Sequence, residues 1–264
     1  MLRRPQHRRI RQKRVAPSPL PPRKRRWLRW ILKGIGGFFL FWLGFFLAAG
    51  FLLYRHYTAD LPDITLLKEY QPSLVTKVYT DNDELLAEFY VEKRILVPLS
   101  RIPPILQQAT IAVEDARFYE HSGLDFRGIL RAALSNLQAG EIVQGGSTIT
   151  QQLTKTLLLS PRRTLERKIR EAILALRIEQ TLSKEEILEL YLNQIYYGHG
   201  AYGVEAAANT YFGKHVWELT LPEAAMLAGL PRAPARYSPY LAPKRALQRR
   251  RHVLRRMVEN GFIS

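Results

Sequence analysis

The chain has 264 residues, no cysteine and a formal net charge of +17, from 40 lysines and arginines against 23 aspartates and glutamates. The absence of cysteine excludes disulfides, thiol nucleophiles and cysteine-ligated metals. The charge is uneven: residues 1–33 hold 13 basic and no acidic side chains, while residues 55–264 hold 27 basic and 23 acidic ones, so the excess marks a basic tail and argues against nucleic-acid binding.

The tail includes PSPLPPRKRR, a proline-rich basic stretch expected to stay disordered and to act through topology and attraction to anionic lipid. Residues 34–54, GIGGFFLFWLGFFLAAGFLLY, carry no charge. About 20 apolar residues suffice to cross a bilayer as a helix. Trp27, Trp30 and Tyr54 flank the run, where amphipathic rings settle at the interface. The basic cluster before it holds the N-terminus in the cytoplasm by the positive-inside rule, which places the rest on the outer side. Ala48-Ala49-Gly50 also admits a cleaved signal peptide, but the apolar run exceeds a usual signal core, so an uncleaved anchor is expected.

Residues 58–73 read as a linker, punctuated by Pro62 and Pro72. Over 74–99 the β-branched and aromatic alternation around the turn DNDE predicts a hairpin. From Ile105 the apolar spacing becomes helical. ILQQATIAVEDARF and FRGILRAALSNLQAG are followed by expected helices over 164–182 and 184–197, others from near Gly203 and Pro222, and a last one from about Pro243 to Asn260. Gly213 and Gly261 fit positions just past helix ends. The expected organisation is a basic tail over 1–33, a membrane helix over 34–54, a linker and hairpin over 55–104, and a mainly α domain over 105–264.

Three stretches could carry chemistry. In GGSTITQQLTK, residues 145–155, Thr148 and Gln151 form a capping box after a glycine turn. Thr148, Gln151, Gln152 and Lys155 also share one helix face, and a face of neutral amides ending in a cation suits a polar ligand with an anionic end. Ile149, Leu153 and Leu157 form the inward face. In AVEDARFYEHSGLDFRG, residues 112–128, Glu114 and Asp115 end an apolar helix. A carboxylate held against an apolar wall has a raised pKa and can serve as a general base; the plainer reading is a solvated acidic turn. In TLERKIREAILALRIEQ, residues 164–180, Leu165, Ile169, Ala172, Ile173 and Leu176 make the expected buried stripe. Lys168 and Glu171 then read as a surface pair worth about 0.3 kcal/mol. No histidine spacing suits a metal, and there is no nucleophile elbow, P-loop or dinucleotide fingerprint.

Together EDARFYEHSGLDFRGILRA, GGSTITQQLTK, RKIREAILALRIE, KEEILELYLNQIYYGHGAYGVEAAANTYFGK and LPEAAMLAGLPRAPARYSPY resemble, in order and over about residues 60–264, the family 51 glycosyltransferases. These are the peptidoglycan glycosyltransferase domains of class A penicillin-binding proteins and the monofunctional transglycosylases. The resemblance implies a lysozyme-like, two-lobed α fold with a membrane-facing stretch over 126–143, anchored by a single pass in the inner membrane. It implies lipid II, a disaccharide-peptide on undecaprenyl pyrophosphate, as substrate and a β-1,4 glycan strand as product. By motif, Glu114 would be the base and Glu171 the second acid, assisting the donor phosphate directly or through Mg2+ or Mn2+. Asp115, Phe118, His121, Ser147, Thr148, Gln151, Gln152, Lys155, Arg167 and Lys168 would bind substrate. Cell-wall elongation or division proteins would be partners.

A lysozyme-like hydrolase and an inactive lipid II-binding scaffold are the alternative readings. Thr156 stands where many relatives have asparagine. The sequence carries neither the S-x-x-K nor the K-T-G motif of a transpeptidase, and leaves open whether it is part of a class A protein or a single-domain enzyme.

Overall fold

A computed structural model describes residues 23–67, 76–89, 92–141, 145–160, 162 and 164–264. Of the stretch expected to be disordered, PSPLPPRKRR, the first six residues lie outside these residues, as does most of the second half of the linker, whereas residues 23–26 are helical. Two compact units separate at His56–Tyr57.

In the first unit, α1 (Arg23–Thr58) is apolar all round and exposes Phe38, Phe39, Phe41, Phe46 and Leu47 along its length. Its 30-residue apolar part, Arg29–Thr58, is about 45 Å long at 1.5 Å per residue, enough to cross a membrane. The helix starts earlier than the tail composition suggests. The last proline is Pro22, so nothing prevents the RKRR end of the basic stretch from joining the helix.

In the second unit, β1 (Thr76–Tyr79) and β2 (Leu85–Phe89) form the antiparallel hairpin predicted from alternation. Its turn places Asp83 at φ 59°, a conformation aspartate tolerates. The short β3 (Lys93–Arg94) follows. The helices begin with α2 (Pro104–Glu114), which has proline in its first turn, then α3 (Phe126–Ala139), α4 (Ile149–Leu158), α5 (Leu165–Thr181) and α6 (Lys184–Gln194). Next come β4 (Tyr196–Gly198), β5 (Ala201–Tyr202), α7 (Val204–Phe212), α8 (Leu221–Gly229), the single-turn α9 (Pro234–Tyr237) and α10 (Pro243–Glu259). β5 pairs parallel with β3 and antiparallel with β4. The chain is thus mainly α, as expected.

One predicted helix is shorter than its pattern. Residues 184–197 were expected to be helical, but α6 ends at Gln194 and Tyr196–Gly198 form a strand. Pairing with β5 overrides the helical spacing. Gly203 closes this turn at φ 81°, where a Cβ would lie 2.7 Å from the Asn193 carbonyl oxygen.

α2 packs between α8 and α10, and α4 packs between α5 and α6. Leu106 and Ala109 of α2, Ile149 and Leu153 of α4, and Ile187, Leu188 and Tyr191 of α6 are all within 1 % of complete burial. Alanines 206, 207, 208, 224, 225 and 228 are fully buried and let α7 and α8 approach their neighbours closely. This core fixes the ends of α2, α4 and α5, which carry the acidic and amide residues discussed below.

Candidate active site

α2 stops at Glu114 because the next residue is diverted. Asp115 caps the helix at φ −157°, and its carboxylate accepts hydrogen bonds from Ile149 N at 3.0 Å and His121 Nε2 at 3.0 Å. The end of α2 is thereby tied to the start of α4. The capping box is present as the sequence predicts: Thr148 Oγ1 accepts from Gln151 N, and Gln151 Oε1 accepts from Thr148 N at 3.0 Å. Thr148 Oγ1 also donates to the Gly123 carbonyl at 2.6 Å. Gly123 sits at φ 90°, where a Cβ would lie 2.8 Å from the Ala175 carbonyl oxygen, so this glycine lets the loop lie directly on α5.

Glu114 is 11 % exposed at its side chain. Oε2 accepts from Gln152 Nε2 at 3.0 Å, and Oε1 has no hydrogen bond, with Arg249 Nη2 at 3.7 Å. Burial pushes its pKa up, against the lowering effects of the Gln152 hydrogen bond and the charges of Arg249 and Arg232. The carboxylate is therefore buried and does not sit on a solvated acidic turn.

Glu171 is 3 % exposed and meets two cations: Arg167 Nη1 at 2.9 Å, and the Lys168 ammonium. Lys168 Nζ also donates to Ser147 Oγ at 2.9 Å. Residues on and just before α4 thus touch both acidic groups, Gln152 at Glu114 and Ser147 through Lys168 at Glu171. Lys155 is exposed one turn beyond Gln152. The hydroxyl of Thr156, where asparagine was the common alternative, donates to the Gln152 carbonyl at 2.9 Å within the same helix.

The residues assigned to substrate fall into two groups. Gln152, Lys155, Arg167, Lys168 and Ser147 retain some exposure. Asp115, Thr148 and Gln151 are buried and bonded to one another or to backbone, as is the His121 side chain, and Phe118 is fully buried. Phe118 lies in the core with the Lys184 ammonium 4.4 Å from its ring centre. These five are buried in the structure, unlike the first group.

The predicted buried stripe of α5 is also corrected. Glu171, Leu174, Ala175 and Ile178 face the core, whereas Leu165 is 77 % and Leu176 39 % exposed. This helix is apolar on two sides, and the loop at Gly123 selects the side that contains Glu171. Lys168 and Glu171 are accordingly not a surface pair.

Sequence reasoning did not single out Arg249. On α10 it occupies the buried row Ala246, Arg249, Val253 and Met257, and donates from Nε to the Gly229 carbonyl at 3.1 Å. A charge within an otherwise apolar row was its available signal. Among the described residues no three His or carboxylate side chains cluster, and both Glu171 oxygens are held by cations.

A family model described as transglycosylase matches residues 82–258. Penicillin-binding protein 1A of Aquifex aeolicus is 56 % identical over 205 residues, which cover 78 % of this chain and 28 % of that protein. Penicillin-binding protein 1A of Escherichia coli is 52 % identical over 212 residues, covering 80 % and 25 %. The crystal structure of penicillin-binding protein 1A from Haemophilus influenzae matches at 30 % identity and a TM-score of 0.43, over 74 % of this chain and 19 % of that one. The chain thus spans about a quarter of the length of these curated relatives.

Proposed function

The chain belongs to the transglycosylase family, and from that premise we propose that it is a peptidoglycan glycosyltransferase that polymerises lipid II into β-1,4 glycan strands. Glu114 takes the proton from the 4-hydroxyl of the acceptor sugar, on the Oε1 atom that has no other hydrogen bond. The freed oxygen forms a bond to C1 of the donor sugar as the bond from C1 to the pyrophosphate oxygen breaks. C1 inverts, and undecaprenyl pyrophosphate leaves with the bonding electrons. Lys155, Arg167 and Lys168 meet the charge that develops on it.

A pyrophosphate is already a good leaving group, so cations suffice where a hydrolase needs a general acid at the sugar oxygen. The buried base fits the other half. A carboxylate whose pKa burial lifts toward the working pH accepts a proton better than a solvated one. The observation that carries this reading is the arrangement around the start of α4: a buried Glu114 oxygen that has no hydrogen-bond partner, beside Gln152, and the Arg167–Lys168 cation pair, reached through Ser147.

We place α1 across the inner membrane in a single pass, N-terminus cytoplasmic and the catalytic domain on the periplasmic or extracellular side. Phe126, Leu130, Leu134 and Leu137 of α3 are 53–80 % exposed, and such an apolar stripe suits the lipid interface from which the substrate comes. Cell-wall elongation or division proteins would act as partners of the anchored enzyme.

The test is incubation of the purified chain in detergent with lipid II. Glycan polymer and free undecaprenyl pyrophosphate are expected in step. Release of reducing ends from preformed peptidoglycan, with lipid II left intact, would overturn the reading in favour of a hydrolase.

A further inference from the structure

We propose that Tyr191, a residue that cannot reach substrate, positions the base through Gln152 and keeps Glu114 ready to accept a proton. Tyr191 lies on α6 and is 1 % exposed. Its hydroxyl donates to Gln152 Oε1 at 3.2 Å, and Gln152 Nε2 donates to Glu114 Oε2 at 3.0 Å. Three helices, α6, α4 and α2, thus contribute one link each to a hydrogen-bonded chain that ends on the carboxylate.

A glutamine amide can be turned either way, and the ends of the chain decide which. With Oε1 toward the hydroxyl and Nε2 toward the carboxylate, each contact pairs a donor with an acceptor. Turned over, the amide would set its carbonyl against an ionised carboxylate, which can only accept. Donation into the carbonyl also polarises the amide and strengthens its N–H bond to the carboxylate. Burial, then the nearby Glu114 charge, holds the Tyr191 hydroxyl protonated far above its ordinary range, so it remains a donor. The other groups facing Glu114 are Arg249 of α10, Arg232 beyond α8, Asp115 and Tyr197 of β4. Of these, the arginines favour the ionised carboxylate by charge alone, and none orients the amide.

The chemistry rests on the reading of Glu114 as the base, so the test separates the two. The pH dependence of lipid II polymerisation is measured on the full chain for wild type and Tyr191→Phe. Protonation of Glu114 is followed independently by its infrared carboxyl band, assigned by its loss in Glu114→Gln. Phenylalanine fills the same space, so only the hydroxyl is removed.

The expected result is an about tenfold lower rate on the acid side of the profile and less than about threefold loss on the plateau. The Glu114 band should stay protonated to higher pH. Gln152→Met, read by the band alone, should displace it in the same direction, and the double variant should displace it no further. A uniform loss at all pH with an unmoved band, or additive displacements in the double variant, would overturn the proposal. A wild-type rate profile that does not follow the Glu114 band would instead remove Glu114 as the base, while the band still tests the relay.

Discussion

Glu114 and Glu171 are both withdrawn from water, but their surroundings differ. Glu114 ends a helix of apolar residues, receives one neutral amide at 3.0 Å, and has a guanidinium no nearer than 3.7 Å to its second oxygen. Glu171 sits in a buried helix row and has a cation on each oxygen, Arg167 on one and Lys168 on the other. The first carboxylate is under-compensated and its pKa rises; the second is neutralised by its neighbours. Burial alone therefore does not assign a role. A proton acceptor needs a desolvated carboxylate with one free oxygen, and a site for a departing diphosphate needs cations held in place. Glu171 holds Arg167 and Lys168 side by side, which is what the proposed function asks of it.

From that contrast, substitution at the two sites should separate activity from stability. Glu114→Gln should lower polymerisation about a thousandfold, the scale of a lost general base, and leave the circular dichroism spectrum unchanged. Its stability should not fall. Burial gives the folded state the higher Glu114 pKa, so stability from this group is full at low pH and is lost as pH rises through the folded value. Glutamine removes that loss, and the melting temperature at neutral pH should match or exceed wild type.

The second expected effect is on the cation pair. Arg167→Ala with Lys168→Ala leaves Glu171 buried without a counter-charge and should cost about 3 kcal/mol in denaturant unfolding, with polymerisation down about a hundredfold. An equal loss of stability in Glu114→Gln and in this double variant would erase the distinction drawn between the two sites.

The smallest effect should come from α3. Leu130→Asn with Leu134→Asn replaces exposed apolar side chains, so unfolding in detergent should change by less than about 0.5 kcal/mol. Sedimentation of the domain with vesicles rich in anionic lipid should weaken if this stripe meets the interface.

Part of this site is legible in the sequence because part of it is local. The Thr148–Gln151 box needs only residues three apart, and the apolar run into Glu114 is visible as spacing. The long apolar helix α1 follows from length and composition. What stayed hidden depends on which face the fold buries. α5 offers two apolar sides, and nothing in its sequence says that the loop at Gly123 lies on the one containing Glu171. The family motif alone assigns Phe118 to the site, but α6 presents Lys184 to its ring and the core encloses it. The strand at Tyr196–Gly198 depends on pairing with residues 201–202, and Arg249 meets Glu114 across 135 positions of sequence. Long-range packing decides each of these.

The most direct test is the pH dependence of lipid II polymerisation by the wild-type chain in detergent. A base kept neutral more readily by burial must lose its proton before it can act, so the rate should fall on the acid side at a pH above the ordinary carboxylate range. A rate that holds steady down into that range would contradict Glu114 as the buried base.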